Sequence, residues 1–223
     1  MSEHRRFQLS CTCGHEFETK LWDALNVTEV KELKGKLLSG EINQVQCPKC
    51  QKKSYIEKSL LYHDMDQRLW VQMLPQADRP KWPELQEEYQ EEIKKNSGPF
   101  SNRKYHFRLA FGREELLEKI RIFDANLDDR ILELLKVRIL TEDETLKTVS
   151  DAKVLFSRYM PQEEELHFSV TSQEKSLSQT IVIAFQHYND IRESKEHSEA
   201  TTELAKMICK GMYIHYSKTR VLH

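Results

Sequence analysis

With 39% hydrophobic and 31% charged residues over 223 positions, the chain has the composition of a solvated globular protein rather than a disordered one. A net charge of −2 and a pI near 6.5 argue against a dominantly basic nucleic-acid binder, so any such contact needs a local patch. No apolar run approaches the eighteen or so residues that span a bilayer, which excludes a helical membrane span. "MSEHRRFQLSCTC" lacks the apolar core of a secretory signal, so a cytoplasmic location and no membrane partner are expected.

In chain order, "FQLSC" and "EFETKLW" alternate in polarity around a Cys-Thr-Cys-Gly turn and predict a hairpin. "NVTEVKELKGKLLSG" predicts a helix with Asn26 as cap, Glu29 three residues on, and Val30, Leu33 and Leu37 on one face. Gly40 stops it. "INQVQCPKCQKKSYIEKSLLYHD" returns to strands on either side of a second cysteine pair, and "RLWVQMLP" predicts a further strand. Pro75, Pro80, Pro83 and Pro99 then mark residues 76–103 as a linker carrying an acidic helix from about Pro83 to Lys95. Its run "ELQEEYQEEIKK" reads as a solvated helix, with an acidic docking surface as the alternative.

From residue 104 onward the pattern is α+β. "YHFRLAF" is strand-like, and two helices follow with apolar residues Leu116, Leu117, Ile120 and Phe123, then Ile131, Leu134, Leu135 and Ile139. The break at "DANLDD" supplies cap residues. "AKVLFSRYM", "EELHFSVTS" and "QTIVIAFQHY" predict a small antiparallel sheet, and "SEATTELAKMICKGMYIHY" a final amphipathic helix holding Cys209 as a buried, inert thiol. The domains are therefore expected at 1–75 and 104–223, with 76–103 between them.

The four remaining cysteines carry the chemistry. Cys11 and Cys13 lie on one tight turn and Cys47 and Cys50 on another, and structural zinc takes four such ligands in a tetrahedron. Gly14 permits a left-handed backbone beside the first pair, and Pro48 stiffens the second. In a reducing compartment paired cysteines favour metal over disulfides. "CPKC" also resembles a redox pair, but such pairs open a helix, and "QKKSYIEK" reads as a strand. His15 and His63 are the alternative imidazole ligands. One Zn2+ on Cys11, Cys13, Cys47 and Cys50 is the expected cofactor.

"SCTCGHEFE", "LKGKLLSGEINQVQCPKC" and "LLYHDMDQRLWVQMLP" together resemble the bacterial and archaeal CpXC family, named for its two close cysteine pairs. The likeness covers residues 7–75 and extends to 104–140 through "FGREELLEKIRIFDANLDDRILELLK". It implies a zinc-ribbon-like module with a helical insertion between two knuckles, and it implies no particular activity.

Three functional readings follow. The first is a zinc-binding, non-catalytic module that mediates contact with a protein partner. The second is a nucleic-acid-binding zinc ribbon, with Lys49, Lys52 and Lys53 beside Arg5 and Arg6 as a basic edge and Trp22, Tyr55 or Tyr62 for stacking. The third is an enzyme with a site at His63 and Asp64, close to Asp66 in "YHDMD". No P-loop, dinucleotide glycine fingerprint or H-E-x-x-H motif supports catalysis.

Overall fold

In a computed structural model the described residues are 1–95, 105–197 and 203–218, and they form a mixed α+β protein of two compact units, Met1–Leu117 and Glu118–His223. The first unit is built on β1 (Glu3–Ser10), β2 (Glu16–Asn26), β3 (Gln44–Gln46), β4 (Lys53–Tyr55), β5 (Leu60–Asp64), β6 (Leu69–Leu74) and β7 (His106–Phe111). Five of these make one sheet in the order β1-β2-β5-β6-β7, while β3 and β4 pair with each other. The β1–β2 and β5–β6 contacts are antiparallel, and β2–β5 and β6–β7 are parallel. A parallel pairing needs a long crossover. The first contains α1 (Glu32–Ser39) and the β3–β4 hairpin; the second contains α2 (Trp82–Lys95).

Burial divides this unit unevenly. Leu21, Leu25, Leu60, Tyr62, Leu69, Val71, Met73, Leu109 and Phe111 are almost wholly enclosed in one apolar core, and Leu33 and Leu37 pack α1 onto it. By contrast β1 has no buried residue, and β2 has none before Leu21. Of the second hairpin's strand residues only Val45 is buried. The two hairpins therefore extend past the core into a region where hydrophobic burial cannot hold them.

The end of α1 shows how local chemistry fixes the chain. Gly40 caps it at φ +86°, where its N–H meets the last helical carbonyls, and Arg113 Nη2 donates to Leu37 O at 3.2 Å. A Cβ at Gly40 would stand 2.9 Å from that guanidinium. Gly40→Ala is expected to cost about 1–2 kcal/mol through the left-handed backbone alone. Thermal denaturation checks it; an unchanged melting temperature would contradict it.

The second unit has β8 (Lys153–Met160), β9 (Glu165–Ser172) and β10 (Leu177–Ala184) in an antiparallel meander, ordered β10-β9-β8. Its helices are α4 (Asp129–Glu142), α5 (Gln186–His197) and α6 (Glu203–Cys209); α3 (Arg113–Asp124) runs across the boundary between units. Asp128 caps α4 by accepting from Arg130 N, the role expected of the "DANLDD" break. Phe156, Phe168, Leu166 and Val170 of the sheet and Leu132, Leu135, Ile208 and Tyr213 form the core.

Several expectations change. β7, expected to open the C-terminal region, instead pairs with β6 and completes the first unit's sheet. Asn26 ends β2 and does not cap α1, whose first residue is Glu32; its Oδ1 accepts from Glu29 N in the connecting turn. Val30 is exposed. The final helix stops at Cys209, and Gly211 at φ +84° turns the chain so that Tyr213, Ile214 and Tyr216 are buried without helical periodicity. Pro99 and residues 198–202 of the expected linker and last helix lie outside the described residues.

Candidate metal centre

Each cysteine pair occupies a hairpin tip. β1 and β2 close at Ser10 opposite Glu16, and β3 and β4 at Gln46 opposite Lys53. In the first tip Cys11 N donates to His15 O at 2.8 Å and Gly14 N to Cys11 O at 2.9 Å, with Gly14 at φ +81°. In the second, Cys47 N donates to Lys52 O at 3.0 Å and Gln51 N to Cys47 O at 2.9 Å, with Gln51 at φ +61°. Gln51 thus supplies the left-handed position of the second turn.

The tips converge. The Cys11 and Cys50 sulfurs lie 3.6 Å apart and those of Cys13 and Cys47 3.7 Å, and all four fall within 4.8 Å of one another. None of the four is in a disulfide. A tetrahedron with metal–sulfur bonds of about 2.3 Å has edges of about 3.8 Å, so the donor set fits a tetrahedral metal ion. Cys47 is buried, whereas Cys13 and Cys50 are exposed.

The electrostatics point the same way. The Cys13 backbone N–H holds the Cys11 thiol down to about 6, against some desolvation. The His15 N–H would lower Cys13 too, yet partial desolvation and the neighbouring thiols push it up to about 12. Four adjacent sulfurs cannot all ionise without added positive charge, and a bound cation is what would supply it.

One residue that the sequence did not single out aligns the tips. Asn43, buried at φ +55°, accepts from Trp22 N through Oδ1 at 2.7 Å and donates from Nδ2 to Trp22 O at 3.1 Å. Its own carbonyl accepts from Ile56 N at 2.9 Å. Its side chain therefore acts as a short strand against β2 and ties the second hairpin to the first. Lys52 Nζ adds a bond to Thr12 Oγ1 at 3.1 Å. Asn43→Ala is expected to weaken metal affinity about 10–100-fold, as loss of a ligand-orienting partner does. A chelator-competition titration measures it, and unchanged affinity would contradict the aligning role.

His63 and Asp64 are not part of this cluster. Asp64 is buried; its Oδ1 accepts from Asp66 N and Gln67 N, both at 3.1 Å, and its Oδ2 from Tyr62 Oη at 3.2 Å. Lys34 lies 3.6 Å from the same carboxylate. His63 is nearly buried against Trp70 and Tyr105, and that burial lowers its pKa. The pair thus closes the β5–β6 turn. On the basic edge, Lys49 and Lys53 are exposed, but Arg5 pairs with Asp23 and Arg6 with Glu18. Arg5's hydrogen bonds draw the Asp23 pKa down to about 2. Tyr62 is fully buried and cannot stack on a base. Cys209 is only half-buried and borders an open groove with Arg130, Arg192 and Lys206.

Two hairpin tips with four convergent thiols define a class of protein: one whose cysteine cluster can hold a metal ion. The CpXC protein family matches residues 9–136, more than half of the sequence, and the chain belongs to that family. No curated protein and no solved structure matches it. No helix among the described residues is long and apolar enough to cross a membrane.

Proposed function

We propose that the first unit is a zinc-ribbon-like module in which Cys11, Cys13, Cys47 and Cys50 hold one structural Zn2+, and that the protein acts by binding another protein rather than by catalysis. The observation that carries the zinc site is the meeting of four thiols from two hairpin tips that lack a hydrophobic core of their own. A closed four-sulfur site leaves no coordination position for substrate, which fits a structural ion. The cytoplasm, where thiols stay reduced, is the compartment in which such a site persists. Asp64's engagement with backbone N–H groups and Tyr62 supports a structural turn over an acid–base site.

Native mass spectrometry of the purified chain is expected to give one zinc per chain, lost in a Cys11→Ser/Cys50→Ser variant. A metal-free wild type that remains fully folded would overturn the reading.

Nucleic-acid binding through Lys49, Lys52 and Lys53 is the weaker alternative, because the flanking arginines are already neutralised by Asp23 and Glu18. Anisotropy titrations with short DNA and RNA are expected to show no binding that Lys52→Glu/Lys53→Glu abolishes. Tight, steeply salt-dependent binding lost in that variant would restore the alternative.

A further inference from the structure

The three-stranded sheet of the second unit has two edges, and the chain treats them differently. At β8 two outward N–H groups are taken by buried side chains: Val154 N donates to Tyr216 Oη at 3.2 Å, and Phe156 N to the Glu118 carboxylate. A register irregularity between Phe156 and Arg158 further disrupts that edge. These are devices that stop an edge strand from pairing.

β10 has none of them. "LSQTIVIA" contains no charge and no proline, and it pairs with β9 over eight residues without a bulge. Phe185 N donates to Glu164 O at the end of this ladder, so alternation places the backbone groups of Ser178, Thr180, Val182 and Ala184 on the open side. Among the described residues nothing hydrogen-bonds to them there. Val182 is 47% exposed. On the opposite face Ile181 and Ile183 join Leu135, Ile139 and His187 around a small cavity of about 180 Å³.

We infer that β10 is a self-pairing edge, through which two copies of this chain join antiparallel about a two-fold axis at Val182 to form a six-stranded sheet. A two-fold contact requires a patch complementary to itself. With the axis at Val182, the outward groups of Val182 meet those of the other copy's Val182, and Thr180 of each copy meets Ala184 of the other. Both are hydrogen-bonded pairs. Ile181 and Ile183 then stand opposite each other across the seam, on the face that borders the Leu135–Ile139 cavity, so aliphatic side chains meet aliphatic ones. The uncharged strand brings no like charges together when it meets itself. It offers no countercharge to select a charged foreign strand.

Sedimentation velocity of the full chain over a nanomolar to high-micromolar series tests this. The wild type is expected to show a reversible monomer–dimer equilibrium. Val182→Lys sets two ammonium groups against each other at the axis. Val182→Pro removes a donor that β9 does not use, so it spares the sheet within each copy. Both are expected to weaken dimerisation at least about ten-fold with unchanged circular dichroism. Thr180→Lys, also on the exposed surface, serves should either variant disturb the fold. A wild type monomeric at every concentration overturns the inference, as does a dimer that all the variants leave intact. A monomer that captures extended peptides at β10 overturns self-pairing as well.

Discussion

Cys47→Ser is expected to abolish stoichiometric metal binding and to unfold the two hairpin tips while leaving the core of the first unit folded. Cys47 is the buried member of the cysteine cluster, its sulfur 3.7 Å from that of Cys13 and its N–H bonded across its own turn. Losing one of four thiolates should reduce affinity by more than about 100-fold, beyond the effect of losing an orienting partner. Because binding free energy in such a site is folding free energy, the segments that depend on it should open. Those segments are 7–19 and 42–56, where Val45 and Cys47 are among the few buried side chains. β5, β6 and β7 carry their own apolar core and should persist. Hydrogen exchange read by mass spectrometry separates the outcomes. Loss of protection confined to the tips supports the account, whereas unchanged exchange in a metal-free variant contradicts it.

The second large effect is expected in the other unit, where Lys136→Met should destabilise by about 3–5 kcal/mol, the usual penalty for leaving buried charge uncompensated. Five ionisable residues, Glu118, Lys119, Asp129, Glu133 and Lys136, are at most 1% exposed there. Lys136 lies 2.6 Å from Glu118 and 2.8 Å from Glu133; Lys119 lies 3.0 Å from Asp129 and 3.4 Å from Glu133. Lys119 also donates to Ile214 O at 2.7 Å, and Glu133 accepts from Tyr216 N at 3.0 Å. The cluster thereby pins the segment that follows α6 to α3 and α4. Urea denaturation of Lys136→Met and of Lys136→Met/Glu118→Gln forms the test. The double variant, which removes the stranded carboxylate, should lose less stability than the single. A double variant as unstable as Lys136→Met alone would contradict the assignment of the loss to the stranded carboxylate.

The same cluster sets an alkaline limit. Burial alone would lower the Lys119 and Lys136 pKa values, but Asp129 and Glu133 raise the first, and Glu118 and Glu133 raise the second. Both lysines hold their protons more tightly folded than unfolded. Their contribution is complete below the ordinary lysine value of 10.5 and declines as pH rises above it. Thermal melts from neutral pH to above that value should show this decline, and Lys136→Met should flatten it. A wild-type profile that stays level would contradict the assignment.

Much of this was readable from short-range pattern. The cysteine pairs lie on turns of a few residues, so their geometry is local, and the apolar spacing of Leu33 and Leu37 or Ile131 and Leu135 reports helices directly. What escaped was long-range or ran against type. β7 joins β6 across a crossover of some thirty residues, and a strand-like run does not state its neighbour. Asn43 looks like a polar loop residue, yet its amide completes a backbone ladder. Lys119, Glu133 and Lys136 look like surface charges because such residues are rarely buried unless paired. The spacing of Asp129, Glu133 and Lys136 along one face of α4, among apolar neighbours, was the available sign. Gly211, two residues past Cys209, was likewise a visible stop for the last helix.

The most direct measurement is X-ray absorption at the zinc edge on the protein purified without added metal. A single shell of four sulfur scatterers at about 2.3 Å is expected. A shell containing nitrogen or oxygen, or the absence of bound zinc from folded protein, would contradict it.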